Sequence, residues 1–296
     1  MKKTSGDRVF DAFNAVFMTL IIVVMLYPFW NTVIMSFNDA VDSIKGSLYV
    51  WPRKFSMFNY QSIFKTDVLF RAFGISVART VITTAAGIAC SGLFAYVLSR
   101  KRFVLRGFLT TLLVLTMYVN AGIIPQYYLY RSLGLINNFW VYVLPSLISA
   151  FNVIVMRTYI NSLPESLIES AKIDGAGELR VCVRIIFPLC LPVMATIALF
   201  VAVMSWNSWF DSFIYAPKQN LSTLQYEMMK ILSSSMTTGS GMQVDYLAES
   251  SGSRNMVTPN SLRSAMTVIA TIPILCVYPF LQKYFVKGLN VGSVKE

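Results

Sequence analysis

Long uncharged, largely apolar runs separated by short charged clusters set the pattern of the chain. Ala12–Asn38 holds 27 residues without a charge, Thr80–Ser99 holds 20, and Gly107–Tyr130 holds 24. Ser132–Met156 follows with 25, Ile185–Phe210 with 26 and Ser264–Gln282 with 19. Each reaches the roughly 18–20 residues that cross a ~30 Å hydrocarbon core at about 1.5 Å per residue. Backbone facing lipid must satisfy its own hydrogen bonds, so the runs predict six transmembrane helices. An even number of spans puts both termini on one side.

The charged clusters give that side. With the N-terminus inside, the inner segments carry 14 Lys and Arg in 61 residues, against 11 in 102 for the outer ones. That bias predicts N-in, C-in topology. Arg100, Lys101, Arg102 and Arg106 are its densest anchor. Composition agrees, with 55% hydrophobic residues, 13% charged and a mean hydropathy of +0.59. A soluble domain carries roughly 25% charged residues, so a soluble fold is excluded. The net charge of +11 is spread between apolar runs rather than gathered on one arm, which speaks against nucleic acid. Lys2, Lys3 and Arg8 precede the first run, but no small-residue cleavage site follows, so that segment is expected to remain as a span.

The residues missing from the sequence narrow its chemistry. There is no histidine, hence no imidazole base, Ser-His-Asp triad or His-ligated metal. Cys90, Cys182, Cys190 and Cys276 lack C-x-x-C spacing and are expected to be small apolar residues. No G-x-x-x-x-G-K-[ST] phosphate loop occurs, so energy from ATP would have to come from another polypeptide. No cofactor or metal is expected on this chain.

All five tryptophans, Trp30, Trp51, Trp140, Trp206 and Trp209, fall near the outer face of this topology. An interfacial aromatic belt accounts for them. The rival explanation is a platform for sugar rings, strongest where Asn207 lies between Trp206 and Trp209. Asn120, Asn152 and Asn207 are amides within or at the ends of the runs. Either they hold helices together at ~0.6–2 kcal/mol each, or with Trp209 they line a substrate path. The outer segment 211–263, with its polar stretch Ser233–Gly241, is too long for a simple connection. It is expected to dock a partner.

The inner segment 157–184 has the pattern of a structured element. Ser162, Pro164 and Glu165 have the form of a capping box opening a short helix. Gly175 and Gly177 should end that helix, and Asp174 can cap a second one that Pro188 interrupts. Glu165, Glu169, Asp174 and Glu178 place four carboxylates on a face turned toward an anionic leaflet. A protein partner bearing Arg or Lys suits them better than lipid.

Glu169-Ser-Ala-Lys-Ile-Asp-Gly-Ala-Gly-Glu178, continuing to Arg184 and Pro188, resembles the EAA loop of ABC importer permeases. The segments Gly122–Tyr127, Leu133–Asn137, Trp206–Asp211 and Tyr278–Gly288 are similar to binding-protein-dependent carbohydrate permeases of the MalG-like, and particularly LplC-like, group. Ser170, Cys182 and Phe187 depart mildly from the family pattern. The resemblance implies an all-α, type I ABC importer (MetI-like) fold. It divides the chain into an N-terminal tail, first span and outer loop (1–72), a permease domain (73–287) with coupling loop 162–188, and a cytoplasmic tail (288–296). It implies that Glu169, Ala171, Asp174, Gly175 and Ala176 couple to an ATPase, and that the tail with Gly288 and Gly292 reaches toward it. The partners so implied are a second homologous permease, two ATPase subunits carrying ATP and Mg, an extracellular solute-binding protein and an oligosaccharide. The expected location is the bacterial cytoplasmic membrane.

Two other classes remain to be weighed. An ion-coupled secondary transporter or channel normally carries ionisable residues within its spans, and the six runs contain none. Sodium sites built from backbone carbonyls need no such residue, so that class stays open. A membrane-embedded enzyme has no nucleophile–base spacing to support it.

Overall fold

The computed structural model describes residues 5–46, 48–65, 67–237 and 257–293. Helices α1 (Ser5–Phe37), α2 (Ala40–Ile44), α3 (Phe58–Phe64) and α4 (Asp67–Ser99) lead to α5 (Arg106–Tyr118), α6 (Ile123–Ser132) and α7 (Ala150–Ser162). The second half holds α8 (Ser166–Ile173), α9 (Glu178–Val181), α10 (Phe187–Leu189), α11 (Leu191–Asn207), α12 (Phe210–Tyr215), α13 (Leu224–Thr237) and α14 (Pro259–Ser293). Among the described residues no strand forms; Asn38 and Phe55 make one isolated bridge. The all-α expectation holds.

Three of these helices are long and apolar enough to cross a bilayer: Val9–Phe37 of α1, all of α4, and Pro259–Pro279 of α14. Two bent pairs raise the number to as many as five. Phe139–Ser146 meets α7 at 45°, and Glu178–Leu189 meets α11 at 80°. The run Gly107–Tyr130, expected as one span, is broken. Helix α5 has 13 residues, about 20 Å of rise. Val119 then turns extended and Gly122 sits at φ +83°. The Asn120 side chain accepts the Gly122 N–H at 2.9 Å. Because glycine takes that conformation without strain, the break lies where the sequence supplies one.

The chain forms two compact units, one from residues 1–67 and 228–272, the other from 68–227 and 273–296. In the first, Asn38 organises the segment beyond α1. Its side chain accepts from Lys54 N at 2.9 Å and donates to Ser43 Oγ at 2.8 Å. Asn59 donates to the carbonyls of Ser36 and Asn38 at 2.9 and 3.0 Å. These bonds satisfy backbone groups left over at the end of α1. Asp39 caps α2 through Asp42 N at 3.1 Å. The Asn38 amide, and after it Arg53, hold the Asp42 carboxyl below its usual range.

The second unit is built around α4. Its buried face carries Ala72, Ser76, Arg79, Thr83, Gly87, Ser91 and Ala95, spaced three or four residues apart. Small and hydroxyl side chains let helix backbones approach closely where both sides are apolar and the hydrophobic effect contributes little. A Cβ at Gly92 would come within 3.0 Å of the Phe187 ring and 3.2 Å of Met156. Ala95, Tyr96 and Leu98 enter a core with Val153, Met156 and Ile160 of α7 and Ile168 and Ala171 of α8. A second cluster gathers Leu135, Val141, Tyr142, Tyr215 and Ala216.

The outer segment 211–263 is less loop than expected. Most of its described part is helix: α12, a single 3-10 turn at Gln219–Leu221, α13, and the start of α14. Residues 238–241 of the stretch Ser233–Gly241 lie outside the described residues.

Candidate functional site

The inner segment is an ordered helix pair, although its N-terminal signal differs from expectation. Helix α7 runs on through Ser162, whose hydroxyl donates back to Tyr159 O at 2.7 Å. Leu163 is extended, as the residue before a proline is pressed to be. Helix α8 then begins at Ser166 with no side-chain cap. The capping box therefore does not form. Its serine belongs to the preceding helix, and Glu165 instead binds Lys101 Nζ at 3.0 Å. That contact lowers the Glu165 pKa.

The turn after α8 is a Schellman motif. Ala176 N–H reaches Ala171 O at 2.9 Å, and Gly175 N–H reaches Lys172 O at 3.0 Å. Gly175 sits at φ +77°, where a glycine is favoured. Asp174 ends α8 rather than capping α9, which starts at Glu178 with Gly177 before it. Glu178 is held from two sides, by Lys172 Nζ at 2.5 Å and Tyr96 OH at 2.6 Å. The Lys172 bond, then the Tyr96 bond, depress its pKa. The stabilisation this provides is present at neutral pH and fades as pH falls through that lowered value. The turn is thereby tied to α4 through Tyr96.

Two of the four carboxylates are thus consumed inside the chain. Glu169 and Asp174 are exposed and, among the described residues, make no ion pair. Ala171 is buried and Ala176 packs against the same core. Sequence reasoning missed the apolar part of this surface. Ile173 is 86% exposed and Leu179 69%, one on each side of the turn. Their positions outside the buried α8 stripe of Ile168 and Ala171 were the available signal. Along α8 opens a cleft of about 510 Å³, whose lining includes Arg100, Arg102, Arg106, Glu169 and Glu178.

The candidate path residues lie at the break after α5, on α7, and at and just beyond the end of α11. Asn120 spends its carbonyl on Gly122 at the break after α5. Asn152 is buried on α7 at 8% exposure. Asn207, at the end of α11, donates to Val203 O at 3.0 Å and accepts from Gln225 at 3.4 Å. The Trp209 ring packs against Phe210 and Phe213 at 5.6 and 6.2 Å. No hydrogen bond or ring contact joins Asn120 or Asn152 to Asn207 or Trp209 among the described residues. Gly288 and Gly292 fall in the last turns of α14.

A buried ion pair instead marks this region. Arg79, 4% exposed in its side chain, binds Asp211, 37% exposed, at the start of α12. Its Nη1 donates to Ser208 O at 3.2 Å, and the guanidinium lies 4.6 Å from the centre of the Tyr142 ring. Counting only uncharged runs left both residues out, since one ends just before Thr80 and the other follows Phe210.

An all-helical membrane chain with an exposed helix–turn–helix between apolar helices fits a transport component better than an enzyme, and the comparisons with known proteins agree. Residues 87–291 match the model of the binding-protein-dependent transport system inner membrane component family, and the chain belongs to that family. The polygalacturonan/rhamnogalacturonan transport system permease protein YtcP of Bacillus subtilis is 37% identical, covering 98% of this chain and 99% of its own. The protein LplC of the same organism is 36% identical over 100% and 98%. A crystal structure of a bacterial ABC transporter involved in the import of the acidic polysaccharide alginate superposes with a TM-score of 0.82 at 28% identity, covering 96% of this chain and 99% of that one. The chain is a permease of an ABC importer with a MetI-like fold. That membership decides against an ion-coupled secondary transporter.

Proposed function

We propose that this permease carries oligosaccharides and forms half of the translocation path beside a second, non-identical permease. The names of its relatives support the cargo class. In this reading the chain crosses the bacterial cytoplasmic membrane six times with both termini inside, and residues 73–287 are the permease domain. ATP and Mg are held by two separate ATPase subunits, and a solute-binding protein docks outside on the 211–263 segment. The sugar path passes Asn120, Asn152, Asn207 and Trp209.

The observation that carries the coupling assignment is the surface of the helix pair. Exposed Ile173 and Leu179 flank a rigid Schellman turn, next to the uncommitted carboxylates Glu169 and Asp174. Apolar side chains at such exposure on a tethered loop gain from burial, at about 1.5–3 kcal/mol for a Leu or Ile. Carboxylates beside them select a basic cleft. The ATPase covers this surface, with Ala171, Gly175 and Ala176 shaping it and Gly288 and Gly292 carrying the C-terminal tail nearby. Leu179→Lys and Glu169→Lys should each cut co-purification of the ATPase at least tenfold, with membrane insertion unchanged. Full retention of the ATPase by both variants would reduce the loop to a connector.

Topology is tested separately. In a background without native cysteines, Lys101→Cys should react with a membrane-impermeant maleimide only after the cells are opened, and Asn220→Cys in intact cells. Both positions are exposed, so labelling of residue 101 from outside would refute the N-in orientation.

A further inference from the structure

Gly92 and Phe187 form a contact that the exposed surface of the helix pair does not use. Gly92 is buried on α4, and a Cβ built there would stand 3.0 Å from Phe187 Cζ and 3.2 Å from Met156 Cε. Met156 lies on α7, the helix that leads into α8. Phe187 opens α10, just after the segment that leads out of α9. The chain entering the helix pair and the chain leaving it therefore close on one residue of α4. One turn further along α4, Tyr96 OH donates to Glu178 Oε2 at 2.6 Å. The leaving segment is thus held by α4 at both of its ends.

Between those two contacts the chain winds differently. Cys182–Ile186 is a π turn, closed by the bond from Phe187 N–H to Cys182 O. Such turns carry one residue more than an α turn and recur at functional sites. Its ends, Cys182 and Ile186, are buried in the same core as Tyr96 and Met156. Beyond Phe187 the chain bends by 80° into α11. A rotation of α8 and α9 is therefore not passed straight along one continuous helix; it moves the Phe187 ring against α4. The flexible Met156 thioether can yield to a new neighbour, whereas a planar ring moves only as a unit. We propose that Gly92 and Phe187 are positioning residues for transport, the ring seated on the glycine transferring the movement of α8 and α9 to α4. This rests on the coupling role assigned to the helix pair above.

A cavity of about 80 Å³ supplies the detector, since Thr80 of α4 and Trp206 of α11 both line it. In a background without native cysteines, a bimane on Thr80→Cys is quenched by Trp206, and Trp206→Phe removes the quenching. In the purified complex with its ATPase, MgATP and vanadate should change that quenching at least about twofold as α4 moves. Gly92→Ala and Phe187→Leu should each remove most of the change while the ATPase stays bound. Combining them should restore it, because the added methyl meets a smaller side chain. Helix propensity favours alanine over glycine, so a loss in Gly92→Ala reports on the contact and not on the helix. A full response in both single variants, a double variant as inert as either, or no response in the parent complex carrying its ATPase would overturn the proposal. Retention of the ATPase by Leu179→Lys and Glu169→Lys would instead refute the coupling role itself.

Discussion

Asp211→Ala should destabilise the protein by about 3 kcal/mol, whereas Arg79→Met should cost about 1 kcal/mol or less. The asymmetry follows from burial. Arg79 is 4% exposed and Asp211 37%. Removing the carboxylate strands a guanidinium where water cannot reach it. Removing the arginine leaves a carboxylate that can hydrate and still accepts from Ser208 Oγ at 3.0 Å. Methionine also refills much of the volume beside the Tyr142 ring. The double variant Arg79→Met with Asp211→Ala should therefore stand close to Arg79→Met alone. The coupling is read from a double-mutant cycle of unfolding in detergent. Strict additivity would show that the pair does not act as a unit, and equal costs for the two single changes would refute the burial asymmetry.

The second large effect is expected at Gly175. No atom lies within 4 Å of a Cβ built there, yet its φ is +77°. Within the chain a side chain meets open space, so any penalty comes from the backbone. An ordinary L residue in the left-handed region costs roughly 1–2 kcal/mol, and a β-branched one is a true outlier there. The two bonds of the Schellman turn would open and α9 would lose its angle to α8. Gly175→Val should lower sugar uptake at least tenfold with loss of ATPase association, whereas Gly175→Asn, tolerant of this conformation, should retain most of both. If asparagine proves as damaging as valine, the requirement is for space against a partner, and the backbone argument is wrong.

The inner helix–turn–helix was legible for a local reason. Its glycine turn, its acidic residues and Pro188 are close in sequence, and the Schellman turn is made by bonds spanning five residues at most. The start of α8 was not. A serine three residues before a glutamate fits a capping box wherever it occurs, but α7 had already claimed Ser162, and Lys101, 64 residues away, had claimed Glu165. The role of the asparagines was less local. Asparagines in apolar runs attract attention, yet two of the three spend hydrogen bonds on their own backbone neighbours.

The sequence by itself determined the membrane class, the helical architecture, the position of the inner helix–turn–helix and the family. These depend on composition and on patterns within about thirty residues, which lipid and backbone hydrogen bonding translate directly into helices. The tertiary structure decided where charge enters those helices. Arg79 lies in the bundle because Asp211, 132 residues later, meets it. Arg157 lies inside α7 beside Thr110, 47 residues earlier. Counting charges treats each helix as if it stood alone in lipid, where either arginine would mark an end. In a packed bundle a charge is tolerated by the partner that meets it, and nothing in a local window of sequence specifies that partner.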